Sequence, residues 1–225
     1  MLRSCKSLVS PFTGLLLALG LTACDAAGTA AVLPDPVVDA SLASATGPQT
    51  AVLAGGCFWG VDAVFKHVKG VTAVTSGYSG GSAGNANYEA VSDGNTGHAE
   101  SVRITYDPRK ISYGKILKVF FTVAHDPTEL NRQGPDVGTQ YRSAIFYGND
   151  EQRRIARAYV DQLRRAGIFA KPIVTDVTGL EAFFPAEAYH QDYAARHPNQ
   201  PYIVIHDRPK VDRLRERFPE LFVER

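Results

Sequence analysis

Cysteine is scarce in this chain of 225 residues: there are three, Cys5, Cys24 and Cys57, with none beyond Cys57. That scarcity excludes a scaffold stapled by disulfides. Six histidines are scattered without paired ligand spacing, so no metal centre is expected. A charge excess is missing too: 24 basic and 23 acidic side chains leave a net charge of +1, and no whole-molecule field selects nucleic acid or an anionic surface. Internal repeats are absent. What remains, with 44% hydrophobic and 21% charged residues, suits one soluble globular core acting as a monomer.

The N-terminus is different material. Arg3 and Lys6 precede the apolar run 11–21, which is short for a bilayer span and suited to a signal-peptide core. The run closes on Leu21-Thr22-Ala23-Cys24, which resembles the cleavage box of bacterial lipoproteins. Residues 1–23 are therefore read as a lipoprotein signal peptide and Cys24 as the lipidated residue. The protein would then be exported to the periplasm or cell envelope and held on a membrane by acyl chains. Residues 24–49 are mostly Ala, Pro, Asp, Val, Ser, Thr and Gly, without aromatics, and read as a flexible tether. Residues 50–225 form the folded domain.

Within that domain strand and helix patterns alternate. A short apolar strand over 50–54 precedes Val61, Val64, Phe65 and Val68, which fall at the i, i+3, i+4, i+7 spacing of a buried helix face. Strands are expected at 71–75, 101–106, 143–147 and 172–177. Helices are expected from Ser112 to about Val123, from Asn149 to Gly167, near 186–196 and at 210–218, with an irregular loop over 126–140 and a short extended piece at 202–205. This order predicts an α/β (α+β) domain.

The stretch Ala54-Gly55-Gly56-Cys57-Phe58-Trp59-Gly60 places a reactive atom and its support together. Cys57 falls where strand passes to helix, and orphan N–H groups with the positive end of the helix dipole favour a thiolate there. The glycines let the backbone turn sharply. Phe58 and Trp59 offer apolar, polarizable surface suited to a sulfur-methyl group.

This stretch resembles the signature of the peptide methionine sulfoxide reductase A family. Gly97-His98-Ala99-Glu100, the run from Gly134 to Ser143 and Tyr189-His190-Gln191-Asp192-Tyr193 resemble the family's later blocks in the same order, spanning about Val52 to Tyr202. The resemblance implies a two-layer plait, an open mixed sheet with packed helices and an irregular C-terminal tail. It implies reduction of methionine S-sulfoxide in oxidised proteins, peptides or free methionine. Cys57 would be the nucleophile and Glu100 the acid, kept protonated by an apolar setting. Tyr88 and Tyr141 would donate hydrogen bonds to the sulfoxide oxygen, and Asp136 would orient the site. Phe58 and Trp59 would accept the methyl group, with His190 and Tyr193 bordering the pocket. No bound cofactor is implied. Many family members regenerate the thiol with further C-terminal cysteines; this sequence has none after Cys57, so an external thiol is expected, from a thioredoxin-like or glutaredoxin-like donor or a small molecule.

Two other readings fit the residues alone. A cysteine hydrolase or acyltransferase would pair Cys57 with His98, His125 or His190. An aromatic-cage lipoprotein would use Trp and Tyr to bind a cationic or methylated ligand without catalysis.

Overall fold

The structure, a computed structural model, describes residues 33–42 and 47–225. The expected signal peptide and the expected lipidation site at Cys24 lie outside the described residues. In chain order the elements are β1 (Gln49–Gly55), α1 (Phe58–Lys66), β2 (Val71–Ser79), α2 (Tyr88–Ser92), β3 (Ala99–Tyr106), α3 (Tyr113–Val119), β4 (Arg132–Gln133), β5 (Asp136–Val137), β6 (Ser143–Tyr147), α4 (Asp150–Ala166), β7 (Asp176–Gly179), β8 (Phe183–Pro185), α5 (Tyr193–Arg196) and α6 (Arg208–Arg217). Six strands form one sheet in the order β7-β6-β1-β3-β2-β8, in which the β6–β7 pair is parallel and the others are antiparallel. This is the expected open mixed sheet of an α/β fold.

Central β1 is buried on both faces, which is why Ala51 to Ala54 is unbroken apolar sequence. Ala51 and Leu53 join the core with α1, α3 and α4, while Val52 and Ala54 meet Ala99, Ala144 and Phe146 in a smaller cluster on the other face. The stripe of α1 behaves as its spacing requires: Val61, Val64, Phe65 and Val68 are all at most 1% exposed, each burial favouring the fold by about 1.5–3 kcal/mol. Ser112 caps α3 by accepting from the Lys115 N–H at 3.1 Å, and Asn149 caps α4 by accepting from the Gln152 N–H at 2.9 Å. Gly167, at φ +61°, closes α4.

The expected tether does not hang free over 33–42. Leu33 is buried, the Pro34 carbonyl accepts from the Tyr159 hydroxyl, and Asp35 pairs with Lys115 and the buried Lys118. Asp39 accepts from the Ser112 hydroxyl at 2.5 Å and the Gly114 N–H at 2.7 Å, covering the start of α3. Leu33, Val38 and Ala40 also pack on the core, but at a spacing of neither helix nor strand, so the docking leaves no apolar periodicity to read.

Other boundaries move for local reasons. The strand expected at 172–177 pairs only from Asp176, because Pro172 has no N–H and the Val174 N–H is spent on the Pro127 carbonyl. The loop at 126–140 contains the β4–β5 hairpin. The helix expected near 186–196 breaks at Asp192, φ +55°, into a 3-10 turn and α5. Residues 203–207 form a π-helical turn leading into α6 rather than an extended piece.

Candidate active site

β1 delivers the chain to Gly56, whose φ of +87° is natural only for glycine and where a Cβ would stand 2.5 Å from the Gln133 side chain. Cys57 follows as the N-cap residue of α1, at the expected junction, and is 7% exposed. The first N–H groups of α1 are then assigned. Phe58 donates to Glu100 Oε2 at 3.0 Å, and Trp59 donates to the Cys57 sulfur. Glu100, near the start of β3 and 3% exposed, also hydrogen-bonds the Cys57 thiol.

Burial sets the protonation states. It pushes the Glu100 carboxyl up to about 8, against the lowering effect of the Phe58 N–H and with a further push from Asp136. The expectation of a resting thiolate is overturned at Cys57: burial first, then Glu100 and Asp207, hold the thiol well above its ordinary value, outweighing the Trp59 N–H and Lys210. The helix-terminus argument omitted the dry, anionic neighbourhood assembled by distant segments.

Three phenols surround this pair. Tyr88, Tyr141 and Tyr202 all lie within electrostatic reach of Cys57, and burial raises each above the ordinary tyrosine range. All three therefore remain hydroxyl donors at neutral pH. Tyr202 donates to the Asp136 carboxylate, which the β4–β5 hairpin supplies. Tyr88 is set by its own N–H, which donates to Glu187 Oε1 at 2.9 Å, while the Tyr78 hydroxyl holds Oε2 at the same distance.

Aromatic packing fixes the floor. Phe58 is buried, with ring contacts to Tyr78 and His190. Trp59 lies flat on Tyr193, centroids 3.8 Å apart, and donates its indole N–H to His190 Nδ1 at 3.2 Å. Because Nδ1 accepts and burial lowers the imidazole's proton affinity, His190 is neutral with its proton on Nε2. The structure thus brings together Cys57, Glu100, Tyr88, Tyr141 and Asp136, with Phe58, Trp59, His190 and Tyr193 around them. Tyr202 and Glu187 join them without having been singled out. The Tyr202 signal was its place at the end of the motif-bearing span, just before the π-helical turn.

The other readings lose ground on geometry. His98 is engaged by the Gly81 N–H and the Ser82 carbonyl, His125 by the Phe120 carbonyl and Ser143, and His190 by Trp59, so none is held as a base for Cys57. The Trp59–Tyr193 stack closes the gap that a caged cation would need. Among the described residues no group of His, Cys, Asp and Glu could hold a metal ion.

A family model described as peptide methionine sulfoxide reductase matches residues 49–221. The chain belongs to that family. It is therefore an oxidoreductase. It is 56% identical over 182 residues to peptide methionine sulfoxide reductase MsrA 2 of Mesorhizobium japonicum, covering 81% of this chain and 93% of that one. The MsrA 2 of Synechocystis is 52% identical over 191 residues, covering 84% and 89%. Among solved structures, reduced Mxr1 from Saccharomyces cerevisiae superposes with a TM-score of 0.61 at 30% identity, over 68% of this chain and 87% of that one. Methionine sulfoxide reductase A of Corynebacterium diphtheriae gives 0.59 at 33% identity, over 75% and 85%.

Proposed function

We propose that this family member reduces methionine S-sulfoxide, in proteins, peptides and the free amino acid, with Cys57 as nucleophile and Glu100 as acid. The observation behind it is the buried contact between the Cys57 thiol and a carboxyl pushed up to about 8. A sulfoxide sulfur accepts a soft nucleophile only as its oxygen gains a proton, and a neutral carboxylic acid beside the thiol provides one. The Cys57 sulfur attacks the sulfoxide sulfur as the Glu100 proton passes to oxygen. The thiol proton returns to the vacated carboxylate. Oxygen ends on Cys57 as sulfenic acid while the thioether departs, so one sulfur is oxidised by two electrons and the other reduced by two. Tyr88 and Tyr141 steady charge building on the oxygen.

An external thiol then condenses with the sulfenic acid, releasing water and forming a mixed disulfide. A second thiol displaces Cys57 and leaves with the first as a disulfide. A thioredoxin-like or glutaredoxin-like donor or a small thiol fits this chemistry, since residues 50–225 contain no other cysteine. Export with lipidation at Cys24 belongs to the same proposal, supported by Arg3 and Lys6, the apolar run 11–21 and the Leu-Thr-Ala-Cys box.

Epimer-resolved turnover of free and peptide-bound methionine sulfoxide with dithiothreitol tests the reading. Loss of the S epimer alone is expected, abolished in Cys57→Ser. Turnover of only the R epimer, or retained reduction in Cys57→Ser, overturns it.

A further inference from the structure

A buried ion pair lies against the first turn of α1 and has no part in the chemistry above. Asp207, 0% exposed, accepts from Lys210 Nζ at 3.2 Å, and Lys210 is itself 9% exposed. A Cβ on Gly60 would stand 2.2 Å from Asp207 Oδ1 and 2.6 Å from Lys210 Nζ. The pair therefore touches helix backbone at Gly60, one residue beyond the Trp59 N–H that meets the Cys57 sulfur. As a stabilising device it is poor. Desolvation of a buried pair commonly offsets its attraction, and Asp207 Oδ2 is left buried without a partner.

We propose that Asp207 and Lys210 are a positioning pair for the nucleophile, acting through the first turn of α1 to set the reactivity of the Cys57 sulfur. The charges have opposite effects there: Asp207 disfavours the thiolate and Lys210 favours it, with Asp207 the stronger. The other groups within electrostatic reach of Cys57 are Glu100 on β3 and the phenols Tyr88, Tyr141 and Tyr202, with Asp136 on β5 acting on Glu100 and on those phenols. Of all these, only Lys210 is a cation in direct contact with the helix turn, so the balance at Cys57 rests on keeping it paired. An intact pair keeps the sulfur a thiol until a sulfoxide and the Glu100 proton arrive together.

This rests on Cys57 being the nucleophile, but alkylation reads the sulfur without the sulfoxide reaction, so the two ideas fail separately. The rate of iodoacetamide alkylation at Cys57, followed by mass spectrometry of its peptide, is measured against pH in the full chain. Asp207→Asn should lower the alkylation midpoint by about half a pH unit or more, Lys210→Met should raise it, and the double variant should lie near wild type. A purely structural pair would lower thermal stability and leave the midpoints in place. Unmoved midpoints, or both single variants shifting the same way, overturn the proposal. If Lys210→Met fails to fold with its unpaired anion, Asp207→Asn and the double variant decide by the same criteria.

Discussion

The Phe58 N–H donates to Glu100 Oε2 at 3.0 Å, tying the first turn of α1 to the start of β3. An oxygen occupied by that donor is a poor seat for a proton, so the acidic proton of Glu100 resides on Oε1. The first chemical step should therefore follow the Glu100 titration. Single-turnover formation of methionine should hold steady at neutral pH and fall as pH rises through about 8. Glu100→Gln should lose about 10²–10⁴-fold of that rate and the pH limb with it.

Stability moves with the same proton. The folded-state value of Glu100 is raised from 4.5 to about 8, so the folded protein binds the proton more tightly than the unfolded chain. Its contribution is fully present below pH 4.5 and lost as pH rises through about 8. Thermal melts from pH 5 to 9 should show Glu100→Gln gaining on wild type toward the alkaline end.

The phenols should act on turnover more than on the fold. Tyr88→Phe and Tyr141→Phe should each lower kcat by about 10–10²-fold, since each removes one donor to a developing oxyanion. Circular dichroism melts within about 1 kcal/mol of wild type would separate this from unfolding. A wild-type kcat in both variants would remove the phenols from the reaction.

The apolar parts of this architecture were legible because burial writes a period into sequence: the Val61, Val64, Phe65, Val68 stripe and the uninterrupted β1 both lie where expected. The carboxyl and phenols of the site were not readable that way. Glu100 at a strand end looks like any solvated charge, and only its motif block marked it. Tyr202 meets Asp136 across 66 residues, a pairing no local pattern announces. Residues 33–42 were misread for a related reason, since Asp35 and Asp39 dock through hydrogen bonds to α3 and the few apolar contacts, at Leu33, Val38 and Ala40, follow no regular period.

That docked segment gives a truncation test. Compared with a chain beginning at residue 33, one beginning at residue 43 lacks the Asp39 contacts to α3 and the Asp35 partner of Lys118, 8% exposed at its side chain, and should melt at a lower temperature. Asp39→Ala alone should cost about 1–2 kcal/mol in urea denaturation, the usual range for a lost helix-start partner. Equal stability of the two truncations would show the segment to be dispensable.

A last prediction concerns acid. His125 is buried, donates from Nδ1 to the Phe120 carbonyl at 3.1 Å and accepts at Nε2 from the Ser143 hydroxyl at 2.7 Å, while the Ser143 oxygen is in turn bonded to the Thr175 hydroxyl. Burial disfavours the charged ring and lowers His125 from 6.5 to about 3, outweighing the Phe120 carbonyl that favours it. Between those values the unfolded chain binds a proton that the folded one refuses, so the His125 contribution to stability is lost as pH drops from 6.5 toward 3. Asp62, raised by burial to about 6, and Glu100, raised to about 8, work in the opposite direction over part of that window, so the comparison with His125→Gln isolates the histidine. His125→Gln should therefore lower stability at pH 7, through the lost hydrogen bonds, yet flatten the decline on acidification. Urea midpoints at pH 7, 5.5 and 4.5 measure both, and a variant whose decline parallels wild type would show that His125 is not the acid-sensitive group.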